Sequence, residues 1–180
     1  MRSFSRPVLL CSSLLILASN VESDVFTPTE NQVKAAYLYN FTKFVEWPET
    51  SFTDNTFSIC VYGNNPVVKE ISSELAGKSS LDKNLSIRRV LNVEAARSCQ
   101  MLYIAKAEKD DVDDAVKGLE QLPVLTVSDI RGFVSREGMI EFIPEEGRLR
   151  FGVNIAAAQR AHLKVSSQLI KVAKSVREQL

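Results

Sequence analysis

Two compact apolar runs, Met101 to Ala105 (MLYIA) and Pro123 to Val127 (PVLTV), constrain this chain more than any other feature. Each has the length of a strand and lacks the polar alternation of a half-wet one, so each reads as a central strand buried on both faces. Between them, Asp110 to Leu122 carries Val112, Ala115, Val116 and Leu119 at helical spacing. Upstream, Phe57 to Gly63 alternates as a strand, and a helix follows Asn64-Asn65-Pro66 through Leu75 to a closing Gly77. Leu85 to Val90 is a further strand and Val93 to Arg97 a helical turn. Strands and helices alternating over short connections predict an α/β fold, a single domain with a mostly parallel central sheet and helices on both faces. The end differs. Met139 to Pro144 and Arg148 to Asn154 alternate apolar and polar around Glu145-Glu146-Gly147, which predicts a C-terminal antiparallel hairpin. An alanine-rich helix over Ile155 to His162 follows, then a last helix over Ser167 to Glu178 capped by Ser166.

Ahead of these elements, Gln32 to Pro48 packs Tyr37, Tyr39, Phe41, Phe44 and Trp47 into eleven positions. Thr27 as N-cap, Pro28 at the first helical position and Glu30 at the third predict a helix from Pro28 to Val45. Trp47-Pro48 ends it, because the residue before proline avoids helical backbone angles. On a helical wheel Val33, Ala36, Tyr37, Phe41, Phe44 and Val45 form one face, with Leu38 and Tyr39 outside it. Lys34 and Lys43 fall on opposite sides, so no clean polar face exists. So apolar a helix calls for two neighbours, its own core and a second protein. Tyr37, Tyr39, Phe41, Phe44 and Trp47 are therefore the candidate partner-binding residues; the competing reading buries the whole helix within its own domain.

Met1 to Ser23 begins with Arg2 and Arg6, continues through an apolar run from Val8 to Leu17 and ends with Val21 and Ser23 at the positions a signal peptidase reads. About ten apolar residues fall well short of the roughly 20 that span a bilayer. Residues 1–23 therefore read as a cleaved signal peptide, with no membrane insertion, and residues 24–180 as the mature domain. Cleavage removes two arginines and one glutamate, leaving 20 Lys+Arg against 21 Asp+Glu. A near-neutral chain argues against nucleic acid or an anionic membrane as partner. Cys60 and Cys99 survive cleavage, and an even pair in an exported protein reads as a disulfide.

Catalysis has little to work with. The single histidine, His162, sits near a helix end between Arg160 and Lys164, where a cation complements the dipole. Neither HExxH nor GxSxG occurs. Asp110, Asp111, Asp113 and Asp114 lack the glycine and glutamate of a calcium loop and suit a first helical turn. The chain reads as a non-enzyme with no cofactor and no metal. Two candidates for anion binding remain: the Gly63 to Pro66 turn before a helix, and Arg148, Arg150 and Arg160. The first two of these arginines share a strand face and the third follows on the next helix.

Several stretches together resemble the YfiR family of small periplasmic proteins: KAAYLYNFTKFVEWP, ICVYG, PVLTVSD, GFVSREGMIEFI and GRLRFGVNIAAAQRAHLKVSSQLIKVAK, in order from about Gln32 to Lys174. The resemblance implies a periplasmic negative regulator that binds the periplasmic region of an inner-membrane diguanylate cyclase of the YfiN type and represses cyclic di-GMP synthesis and biofilm formation. It also implies an α/β fold, a homodimer and no enzymatic activity, and Cys60 and Cys99 match the family's disulfide position. Two features depart from the family. A second cysteine pair of some members is missing, and Gly152 stands where a glutamate is common after the Arg-Phe of the last strand. The alternative function is a soluble receptor for a small anionic ligand.

Overall fold

The computed structural model of the chain describes residues 27–63, 67–105 and 112–178. The expected signal peptide, the Asn64-Asn65-Pro66 turn and Asp110-Asp111 lie outside the described residues. Helix α1 (Glu30–Phe44) leads into a short strand β1 (Val45–Glu46) and a 3-10 turn at Glu49–Ser51. The sheet-forming part then runs β2 (Thr56–Tyr62), α2 (Val67–Leu75), β3 (Ser79–Ser80), β4 (Lys83–Val90), α3 (Val93–Ala96), β5 (Met101–Ile104), α4 (Val112–Leu119) and β6 (Leu125–Ser128). After a 3-10 turn at Val134–Arg136 come β7 (Ile140–Glu145), β8 (Arg148–Asn154), α5 (Ile155–Arg160), β9 (Lys164–Val165), α6 (Ser167–Val172) and β10 (Ser175–Arg177).

Eight of these strands form one sheet in the order β10-β8-β7-β6-β5-β2-β4-β3 among the described residues. β4, β2, β5, β6 and β7 run parallel, as the βαβ pattern requires. β8 turns back as the expected antiparallel hairpin, with Phe142 opposite Phe151 and Glu145 opposite Arg148. β1 and β9 pair separately through Val45–Val165 and Glu46–Lys164. Alternation along the strands divides the core. Met101 and Tyr103 face one apolar cluster with α1 and α2, while Leu102 and Ile104 face another with α3 and α4. The second cluster contains the disulfide between Cys60 and Cys99, whose Cα atoms are 6.1 Å apart across a separation of 39 residues.

Two helices differ from the sequence expectation. α1 is capped by Thr29 rather than Thr27: its side chain accepts from the Gln32 amide, and Gln32 Oε1 accepts from the Thr29 amide at 2.9 Å, closing a capping box. The buried stripe is correspondingly Lys34, Ala35, Leu38, Phe41 and Thr42, so Leu38 lies inside and Ala36 outside. At the other end, Ser166 does cap α6, but the helix stops at Val172 and the chain extends. The Lys174 amide donates to Phe151 O, and Ser175 to Arg177 pair parallel with Gly152 to Asn154. Gly152 permits this approach, because a Cβ there would stand 2.5 Å from Ser175 Oγ and 3.4 Å from Ile143 Cδ1. A side chain at this position would force the Ser175 hydroxyl to turn away, since the β10 backbone itself stands 3.7 Å off.

The buried Lys34 fixes the rotation of α1 about its axis. Its ammonium lies 2.6 Å from Asp129 Oδ2, just after β6, and 2.7 Å from Glu30 Oε1. Burial disfavours the charge, yet hydrogen bonds to Asp129 and Glu30 outweigh it and raise the pKa above the ordinary lysine value. Burial, and then the Asp129 charge, push the adjacent Tyr103 phenol above its usual range. Lys34→Ala leaves the largely enclosed Asp129 without its ammonium partner and is expected to destabilise by about 3 kcal/mol in urea unfolding. The raised pKa means that the lysine's contribution is complete below the unfolded lysine pKa and is lost as pH rises through the folded value. The mutational penalty should therefore be flat across neutral pH; a penalty under about 1 kcal/mol would show that packing alone sets the helix.

Candidate partner-binding surface

The five aromatic residues proposed for a partner divide by depth. Phe41 is fully buried, its ring 5.3 Å from Phe151 in an edge-on contact and 6.0 Å from Phe142. Trp47 is buried too, edge-on to Phe57 at 4.9 Å, and its indole N–H donates to Gln100 O at 2.9 Å. These two hold α1 and the chain beyond it on the sheet; they are core residues. Tyr37 is half-buried in the same ring cluster, with its hydroxyl donating to Leu149 O at 2.9 Å. Phe44 and Tyr39 are half-buried at the rim of the core. Between the rim and solvent lie Ala36, Asn40 and Lys43, all exposed, so α1 keeps one open flank with Tyr39 on it.

The three arginines do not converge. Arg148 and Arg150 stand at the start of β8, the first exposed and the second half-buried, near Glu145. Arg160 lies past the other end of the same strand, about 20 Å of extended chain away. There it donates to Glu137 Oε2, while Arg177 Nη2 lies 2.7 Å from Glu137 Oε1. Burial raises the Glu137 pKa, but the hydrogen bonds from Arg160 and Arg177 prevail and hold it below the usual carboxylate value. The stability from this clamp is thus present above the unfolded carboxylate pKa and lost as pH falls through the folded one. Through Arg160 and Arg177, Glu137 ties α5 and β10 to the turn before β7. Arg148 shares an open cleft of about 560 Å³ with Pro28, Glu30, Val33, Pro144 and Leu149.

His162 is exposed, with a left-handed φ of 59° just after α5. Among the described residues no group of three or more His, Cys, Asp or Glu side chains is placed to hold a metal. No helix among them is long and apolar enough to cross a membrane. The Gly63 to Pro66 turn reaches beyond the described residues.

The YfiR/HmsC-like family model matches residues 31–174, from the first turn of α1 to the residue before β10. The chain belongs to the YfiR/HmsC-like family. This membership connects it with periplasmic regulation of diguanylate cyclase signalling, in a family of regulators rather than catalysts. No curated protein matches the chain.

Three lysines have partners far away in the chain. Lys34 stands in the sequence as one of two polar marks on an apolar helix, and its partner Asp129 lies 95 residues away. Lys78 and Lys83 carry no local signal; Lys78 meets Tyr39 of α1 and Lys83 meets Phe52 only through the packing of β3 and β4. A lysine inside an otherwise apolar stripe, as at Lys34, is the one sign that a buried carboxylate partner exists.

Proposed function

We propose that this YfiR/HmsC-like protein is a periplasmic negative regulator that binds the periplasmic region of an inner-membrane diguanylate cyclase and lowers cyclic di-GMP synthesis and biofilm formation. The observation that carries this reading is the family match over residues 31–174. The geometry supports it through an aromatic helix that keeps an open flank at Tyr39 and Phe44. The receptor alternative gains nothing from the arginines, because Arg160 is engaged by Glu137 away from the other two.

Holding the cyclase off needs no chemistry from the regulator. A bound domain shifts its partner's conformational equilibrium only by its differential affinity for the two states. Co-expression of the full chain with such a cyclase is expected to lower cellular cyclic di-GMP, and Tyr39→Glu, folded by circular dichroism, to restore it. Unchanged cyclic di-GMP with the wild-type chain present would sink the regulator reading.

A further inference from the structure

The open flank of α1 meets the β3–β4 hairpin in a surface that near-neutral net charge conceals. Lys43 Nζ lies 3.9 Å from the centroid of the Tyr39 ring and Lys78 Nζ 5.2 Å from it. The Tyr39 hydroxyl donates to Ser79 O at 3.2 Å, and Thr42 Oγ1 lies 2.6 Å from Ser80 Oγ, so helix and hairpin are joined at this point. Ser80 pairs with Lys83, whose Nζ lies 4.7 Å from the Phe52 ring centroid. Two ammonium groups thus stand at the Tyr39 ring and a third at the Phe52 ring, joined through the β3–β4 hairpin, with Leu81 exposed in the turn.

None of the three lysines is in an ion pair among the described residues, whereas Lys34, Arg136, Arg160 and Lys174 each meet a carboxylate. A ring beneath an ammonium group holds it in place without cancelling its charge. The positive field therefore remains available to an incoming group. Asp82 follows Leu81 in the turn and Glu49 opens the 3-10 turn before Phe52; neither is in an ion pair among the described residues.

We propose that this patch receives an acidic segment of the cyclase's periplasmic region, an inference that rests on the regulator reading above. Carboxylates on a polypeptide fit three separate lysine point charges; the planar, bidentate fork that arginine offers a phosphate is absent from the patch. A bilayer fits less well. Lysines near an anionic surface contribute about 1 kcal/mol each, and the lone exposed Leu81 has Asp82 beside it in the turn. Charge complementarity of this kind acts mainly on the association rate and weakens with salt.

The test compares the Lys43→Glu/Lys78→Glu/Lys83→Glu protein with a control triple reversal at the exposed Lys69, Lys117 and Lys171. Binding to the purified periplasmic region of a diguanylate cyclase is measured by biolayer interferometry at rising salt. The patch triple is expected to bind at least about tenfold more weakly, chiefly through slower association, and to lose salt dependence; the control should stay within about twofold. Undiminished binding of the patch triple, or equal loss in both triples, overturns the patch and leaves the regulator reading standing. If the wild-type protein itself does not bind, the regulator reading fails. The anisotropy of a fluorescein-labelled oligoglutamate peptide then decides the patch alone: binding lost in the patch triple upholds it, and binding unchanged or absent overturns it. Wild-type binding to phosphatidylglycerol vesicles that the patch triple loses, with peptide binding unaltered, overturns it in favour of a lipid surface.

Discussion

Phe41→Ala is expected to lower the unfolding free energy of the protein by about 4 kcal/mol, among the largest effects of any single truncation in the chain. The ring is fully buried, and Tyr37, Phe142 and Phe151 all have centroids within 6.0 Å of it. Its removal forfeits the transfer free energy of the benzyl group and leaves a void that rings fixed on β7 and β8 cannot collapse to fill. Edge-on contact with Phe151 adds to the loss. Urea unfolding should show a lower midpoint with the same slope, since the surface exposed on unfolding hardly changes. A loss under about 1.5 kcal/mol would mean that α1 can repack on the sheet. It would then be less firmly seated than its buried stripe indicates.

The second large effect belongs to the disulfide. Cys60 lies in β2 and Cys99 just before β5, so the bond closes a loop of 39 residues that contains α2, β3, β4 and α3. On the chain-entropy estimate, a loop of that length stabilises by about 4 kcal/mol, by restricting the unfolded ensemble. Cys60→Ala/Cys99→Ala avoids burying new hydroxyls where both sulfurs are now enclosed. Its unfolding midpoint should fall to that of the wild-type protein measured in dithiothreitol. Coincident midpoints in oxidised wild type and double variant would show that the loop is already compact when unfolded.

The parallel sheet was legible because its strands announce themselves locally. MLYIA and PVLTV became β5 and β6, buried on both faces, and Val112, Ala115, Val116 and Leu119 became the inner stripe of α4. The hairpin was equally plain, since alternation and Glu146-Gly147, both at positive φ, coincide. The start of α1 was ambiguous for a physical reason. Thr27 to Glu30 and Thr29 to Gln32 both have capping-box spacing, and the second wins with both of its hydrogen bonds formed. The end of α6 was misread because Val172, Ala173 and Val176 fit a helical period, while the unpaired side of β8 that draws Ser175 to Arg177 into the sheet is invisible from a window of that length. The candidate site suffered most. Ring-rich helices look alike whether they face a partner or a core, and only the positions of Phe142 and Phe151, about a hundred residues on, draw Phe41 inside. Arg148 and Arg150 share a face by strand period, yet the length of β8 separates them from Arg160.

β3 and β10 are the two outermost strands of the eight-stranded sheet. Seven steps of about 4.8 Å put these rims roughly 34 Å apart. A dye or an immobilising tether placed at Val176, which is 38% exposed, would stand clear of the lysines near β3. The molecule can then be fastened to a sensor by one rim while the other stays open to solution. A stretched peptide shorter than about ten residues cannot touch both rims at once.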